Sequence, residues 1–131
     1  MQAQTLQKEK MHKPDIEKFK PLVALMENDN NGGVLAYQQY QNIYIRGNSN
    51  ELMIRDHKPF GNLVIAQIEV AHKRQGTGLK ILNFLKKYGK ENGYSKIVAE
   101  TVLSPEFQSF LLKNQFKEQE NSFMCYELSL I

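Results

Sequence analysis

The sequence predicts a mixed α/β (α+β) fold, and three observations carry that expectation. Apolar residues recur at helical spacing in three separate stretches, and β-rich runs bounded by turn formers fill the segments between them. One apolar strand also passes into a helix through a basic loop with two glycines, Lys73, Arg74, Gln75, Gly76, Thr77 and Gly78. At 131 residues and 41% apolar content, the chain is expected to form one domain over residues 1–131.

Residues 1–12 are polar and aperiodic, and are expected to fray or to supply an edge strand. Pro14 and Asp15 then open a pattern with Ile16, Phe19, Leu22, Val23, Leu25 and Met26 at helical spacing. Pro21 interrupts it, which predicts two short helices in place of one. The run Glu27 to Gly33 reads as a loop by composition. Tyr37 to Arg46 and Glu51 to Asp56 read as strands joined by a hairpin turn at Gly47, Asn48, Ser49 and Asn50. A second turn at His57 to Asn62 leads into a third antiparallel strand, Leu63 to Val70.

After the glycine loop, Leu79, Leu82, Phe84, Leu85 and Tyr88 form one helix face, and Gly93 stands where a C-terminal cap is expected. Lys96 to Val102 reads as a strand returning parallel to Leu63 to Val70. Ser104 as N-cap and Pro105 at the first helical position start another helix, with Phe107, Phe110, Leu111 and Leu112 towards its core. Two strand-like pieces, Phe116 to Gln119 and Phe123 to Leu130, end the chain.

Composition narrows the function classes. No apolar run approaches the roughly 20 residues needed to span a bilayer, and the first residues lack a secretory h-region. The single cysteine, Cys125, offers neither an internal disulfide nor a metal cluster, and is read as a core thiol. His12 and His57 have no metal-ligand spacing, so no metal is expected. These features point to a soluble, cytoplasmic protein.

The net charge of +3 is unevenly placed. Between Lys73 and Lys96 seven basic residues meet one acid, Glu91; from Ile97 onward two lysines meet five glutamates. The positive field therefore centres on the glycine loop and its helix. Helix N-termini carry unpartnered N–H groups and a partial positive charge, and glycines let an anion approach the backbone. A ligand with several phosphates suits this site. Nucleic acid suits the charge equally, but the absence of aromatics interleaved with the basic residues argues against it.

Neither the third glycine of a dinucleotide fingerprint nor the Gly-Lys-Ser/Thr of an NTPase loop is present. Lys73 to Gly78 instead resembles the pyrophosphate loop, Arg/Gln-x-x-Gly-x-Gly/Ala, of the GCN5-related N-acetyltransferase (GNAT) superfamily, with lysine in the first place. The order of helices and strands resembles that family along nearly the whole chain. The resemblance implies a mostly antiparallel mixed sheet of six to seven strands with helices on both faces, and acetyl-CoA as co-substrate. The two short N-terminal helices would occupy the place where that family binds its acceptor.

Carried over by position, Ile68, Val70 and Ala71 would pair with the pantetheine arm on a strand that splays from its neighbour. Residues Lys73, Arg74, Gln75, Gly76, Thr77, Gly78 and Leu79 would hold the pyrophosphate, and Ser104 stands where many members have Asn. Glu69, inside an apolar run, is the first candidate base on the argument that partial desolvation raises a carboxylate pKa. Glu100 on the neighbouring strand is the second. His72 beside the loop is read as lining its mouth.

The family's usual acid, a tyrosine five residues before the Phe that is here Phe116, is replaced by Leu111, and the glycine of that motif by Gln115. Tyr94, Tyr126 or water is left to protonate the thiolate. The resulting expectation is an N-acetyltransferase acting on an amine of a small molecule or protein, with homodimerisation open. A catalytically weakened protein that binds CoA or a partner is the alternative.

Overall fold

The computed structural model describes residues 14–131, so His12 and the segment expected to fray or form an edge strand lie outside the described residues. A 3-10 turn, Ile16–Phe19, is capped by the Asp15 side chain, which accepts from the Glu17 N–H at 3.0 Å. It passes directly into α1, Lys20–Asn30, whose first turn holds Pro21. Proline tolerates that position because its missing N–H would have no helical acceptor there. The two helical pieces expected around Pro21 are thus present. The second takes the first four residues of the predicted loop, ending on Asn31 in the left-handed conformation (φ 57°).

Four antiparallel strands follow, one more than expected: β1 (Leu35–Gln39), β2 (Asn42–Arg46), β3 (Glu51–His57) and β4 (Asn62–Glu69). The segment read as one strand from Tyr37 to Arg46 turns back on itself at Tyr40 and Gln41, with Tyr40 at φ 54°. The hairpin at Gly47 to Asn50 forms as predicted, closed by the Gly47 N–H on the Asn50 carbonyl at 2.9 Å. Then come α2 (Thr77–Glu91), β5 (Lys96–Ala99), α3 (Pro105–Lys113), β6 (Lys117–Glu118) and β7 (Tyr126–Ser129).

The seven strands form one sheet in the order β1-β2-β3-β4-β5-β7-β6, in which only β4 and β5 are parallel. One sheet face carries Ile43, Ile45, Leu52, Ile54, Leu63, Ile65, Ile97 and Ala99, all in the buried core. Phe19, Leu22 and Met26 from the N-terminal helical segment and Ile81, Leu82, Leu85 and Tyr88 from α2 pack onto it. Leu111 and Phe116, at either end of the turn leaving α3, join the same core. The helical register of α2 differs from the prediction at two places. Ile81 is inside, whereas Leu79 is 43% exposed.

Two features of β4 position the site. A register shift against β3 pairs Met53 with Gln67 but Ile54 with Ile65, leaving Ala66 as a one-residue bulge. The bulge keeps Ile68, opposite the buried Leu52, on the core face. The parallel ladder also ends early. The last β4–β5 pair is Ile65 with Ala99, while β4 continues through Glu69 beside, among the described residues, β3 alone.

Candidate cofactor and acyl-transfer site

The site is a wedge opened by that early ending. On one side lie the Ala66 bulge and Gln67 to Glu69, which pair with β3 and, among the described residues, have no strand on the other edge. On the other side lies the exit of β5, where the Glu100 N–H still donates to the Ile65 carbonyl at 3.1 Å before Thr101 turns away at φ 52°. An unpaired strand edge presents free N–H and C=O groups, which an extended amide-containing chain can pair with. The parting of β4 and β5 expected at Ile68 and Val70 is therefore part of this structure, with Val70 just beyond the strand end.

Beyond the wedge the chain turns through Arg74 (φ 65°) and Gly76 (φ 81°) into α2. Gly76 is the N-cap and supplies no side-chain acceptor, and the Gly76 carbonyl takes the Lys80 N–H at 3.0 Å. Helix geometry then leaves the Thr77, Gly78 and Leu79 amides without intrahelical partners. A Cβ built on Gly76 meets nothing within 4 Å, so its surface is open to a ligand. Gly78 behaves differently. A Cβ there would sit 3.7 Å from Cζ of Phe110 on α3, which makes Gly78 a packing position as much as an approach for anions.

Lys73, Arg74 and Gln75 are exposed on the loop, and Lys73 Nζ stands 3.9 Å from Glu106 Oε2 at the start of α3. Thr77 is buried. Ser104 acts as the N-cap of α3, its Oγ accepting from the Phe107 N–H at 3.2 Å.

The Ala71 N–H donates to Asp29 Oδ2 at 2.7 Å and the His72 N–H donates to Asp29 Oδ1 at 3.1 Å, so neither amide is open to a ligand. His72 Nδ1 lies 2.7 Å from the Asp29 carbonyl oxygen; a carbonyl only accepts, so Nδ1 carries the hydrogen. Burial alone would push the Asp29 carboxyl up. The Ala71 amide, the Asn50 side chain and the His72 amide outweigh it and hold the carboxyl below its usual value.

The candidate acid–base residues are distributed unevenly. Glu69, opposite Glu51 in register, is exposed, so the desolvation expected of it is absent. Glu100 is half-buried, with Oε1 accepting from Arg55 Nη1 at 2.9 Å. Tyr126 sits on β7 beside Ala99, where the β4–β5 ladder ends, and is 6% exposed. Tyr94 is excluded as a proton donor to the wedge. Its hydroxyl donates to the buried Asp56 at 2.6 Å, and Asp56 pairs with Leu63 at the opposite end of β4. Burial and that bond push the Tyr94 hydroxyl far above the ordinary tyrosine range. Leu111, where the sequence resemblance would place a tyrosine, is fully buried.

Sequence reasoning missed Asp29, Asn50 and Arg55. Asp29 and Asn50 lay inside polar runs read as loop and turn, and their partners are remote in sequence. Among the described residues, no group of three or more His, Cys, Asp or Glu is placed to hold a metal. Nor is any helix long and apolar enough to cross a membrane.

No protein-family profile and no curated protein matches the sequence. Solved structures do. A GNAT-family acetyltransferase from Staphylococcus aureus Mu50 is 14% identical over 92% of this chain and 98% of its own, with a TM-score of 0.55. The ribosomal-protein-S18-alanine N-acetyltransferase of Escherichia coli is 14% identical over 91% of this chain and 92% of its own, with a TM-score of 0.51. Nourseothricin acetyltransferase is 14% identical over 69% of this chain and 65% of its own, with a TM-score of 0.52. At such identity the likeness establishes a shared fold.

Proposed function

We propose that this chain, which has the GNAT acetyltransferase fold, transfers an acetyl group from acetyl-CoA to an amine by direct attack in a ternary complex. The observation that carries the reading is the unpaired edge of β4 past Ile65, leading through a basic loop into an uncapped helix N-terminus. An extended pantetheine arm fits the first feature and a diphosphate the second.

Acetyl-CoA supplies an activated thioester. The amine attacks the thioester carbonyl carbon, a C–N bond forms, the C–S bond breaks, one proton leaves the nitrogen and one reaches the sulfur. The work of the protein is to align the reactants and to receive charge. The backbone at Ile68 and Val70 orients the arm. The side chains of Lys73, Arg74 and Gln75 and the amides of Thr77, Gly78 and Leu79 receive the diphosphate, with Gly76 leaving the approach open. Ser104 shapes the neighbouring wall through its cap on α3.

Glu69 takes the amine proton through solvent, with Glu100 as the paired alternative. Tyr126 is the tyrosine left on the wedge side to return a proton to sulfur. Ala99 and Tyr126 share the core face, whereas Glu69 lies on the other, so removal and return of protons approach from opposite sides of the sheet. The domain works as one unit over residues 1–131, in the cytoplasm. The acceptor is an amine of a small molecule or of a protein.

One alternative has a specific observation behind it. Leu111 is buried at the family's acid position and Tyr94 is held by Asp56, which favours a protein that binds CoA or a partner without efficient turnover.

Calorimetric titration with acetyl-CoA tests the site. The wild type is expected to bind in the micromolar range, about −8 kcal/mol. Gly76→Glu, checked for folding by its melting transition, is expected not to bind. No heat and no thermal shift from folded wild type overturns the transferase reading and leaves, of the second, only the binding of a partner protein. Binding without thiol release across an amine panel favours the second.

A further inference from the structure

The last turn of α1 carries a buried carboxylate at the end of a helix where the dipole disfavours negative charge. Asp29 is 3% exposed and one residue from the end of that helix. Its oxygens are met by three donors from elsewhere in the chain: the Ala71 and His72 amides, and Asn50 Nδ2 at 2.8 Å. Asn50 Nδ2 also donates to the Met26 carbonyl at 2.9 Å, fastening the β2–β3 turn to α1. Three remote segments therefore meet on one charge. Burying a carboxylate is costly unless donors replace the lost water. Two of the three here are the second and third amides after β4, so the carboxylate and the loop conformation hold each other.

We infer that Asp29 is a positioning residue for the diphosphate loop, an inference that rests on the acetyl-CoA reading above. It takes the Ala71 and His72 amides out of the anion cradle and fixes the point at which the chain leaves β4. A diphosphate is left with Lys73, Arg74 and the first-turn amides of α2. A fixed negative charge at the start of the loop also repels a phosphate that slides towards Val70. Asp29 thereby sets the depth at which the diphosphate stops and, through it, where the thioester lies along β4.

The test combines two variants with a measurement on the wild type. Asp29→Asn keeps the shape of the side chain but leaves one acceptor oxygen for three donors. It is expected to weaken acetyl-CoA binding about tenfold, the worth of hydrogen bonds to a charged group. Affinity for S-acetylpantetheine, which lacks the diphosphate, should change by less than about twofold on the same reasoning. Asn50→Ala disturbs the same buried cluster but keeps both loop bonds, and should weaken acetyl-CoA binding by less than about threefold.

In the wild type, the Ala71 and His72 amide protons should exchange slowly without ligand and shift little on adding acetyl-CoA, while those of Thr77, Gly78 and Leu79 shift. This arm stands even if Asp29→Asn does not fold. Equal losses in the two variants, equal losses for both ligands, or large shifts at Ala71 and His72 overturn the role of Asp29 while leaving acetyl-CoA binding intact. Failure of folded wild type to bind acetyl-CoA overturns the function and this inference together.

Discussion

Two buried acids at opposite ends of β4 do different work, and single substitutions separate them. Asp56 accepts from the Tyr94 hydroxyl and from the Lys58 N–H at 3.1 Å, tying α2's far end to β3. Tyr94→Phe removes one of these bonds far from the wedge. It should lower stability by about 1–2 kcal/mol, read as a lower urea midpoint at unchanged slope, with acetyl-CoA affinity unaltered. Asp29 acts on the loop instead, and its carboxyl is held below the ordinary value. A depressed carboxyl contributes stability that is fully present above its unfolded pKa and is lost as pH falls through the folded one. The stability difference between wild type and Asp29→Asn should therefore be constant at neutral pH and close only below about pH 4. Urea titrations across the acid range check this; a gap unchanged down to pH 3 would count against a charged Asp29 in the fold.

The start of α2 shows how much one element reveals in sequence and what it conceals. Gly76 and Gly78 belong to the same motif, yet the helix gives them opposite tasks. At φ 81° a side chain at position 76 is strained although space is open, so Gly76→Ala should cost about 1 kcal/mol. Gly78 has ordinary helical geometry, and a methyl there touches Phe110 at a normal distance. Gly78→Ala should therefore raise stability by about 0.5–1 kcal/mol through helix propensity. Thermal melts of the two variants should move in opposite directions, and a shared direction would show that the loop is not held as described. Where local chemistry dictates structure, the elements were legible: the Ser104 cap, Pro21 near the start of α1, Gly93 past α2 and the turn at Gly47 to Asn50. The turn at Tyr40 and Gln41 was not, because it puts a tyrosine at positive φ without the Asn-Gly signal that marks most two-residue hairpins. Asn31 likewise ends α1 later than its polar neighbours suggested, since composition marks a loop but not the residue at which a helix frays.

At the scale of the whole molecule, the legible part was the sequence of elements and the place of the loop, and the hidden part was what distant segments do to each other. Asp29 reaches Ala71 across 42 positions and Arg55 reaches Glu100 across 45, and neither pairing leaves a local pattern. The desolvation assigned to Glu69 failed for a related reason. An apolar run shows that a strand is buried over most of its length, not where its neighbour β5 leaves it. That same departure makes a final prediction about the entire chain. Because the wedge lacks a strand on one side among the described residues, ligand binding should supply the missing partner, and stability should rise with acetyl-CoA by mass action, about 2.7 kcal/mol at a hundredfold excess over Kd. Protection of backbone amides from exchange should then concentrate at Ala66 to Glu69 and at Thr77 to Leu79, whereas the β1 edge, remote in the sheet order, should change little. A rise in melting temperature with protection spread evenly over the sheet would place the ligand elsewhere. A rise confined to β4 with none in the first turn of α2 would mean that the pantetheine arm binds and the diphosphate does not.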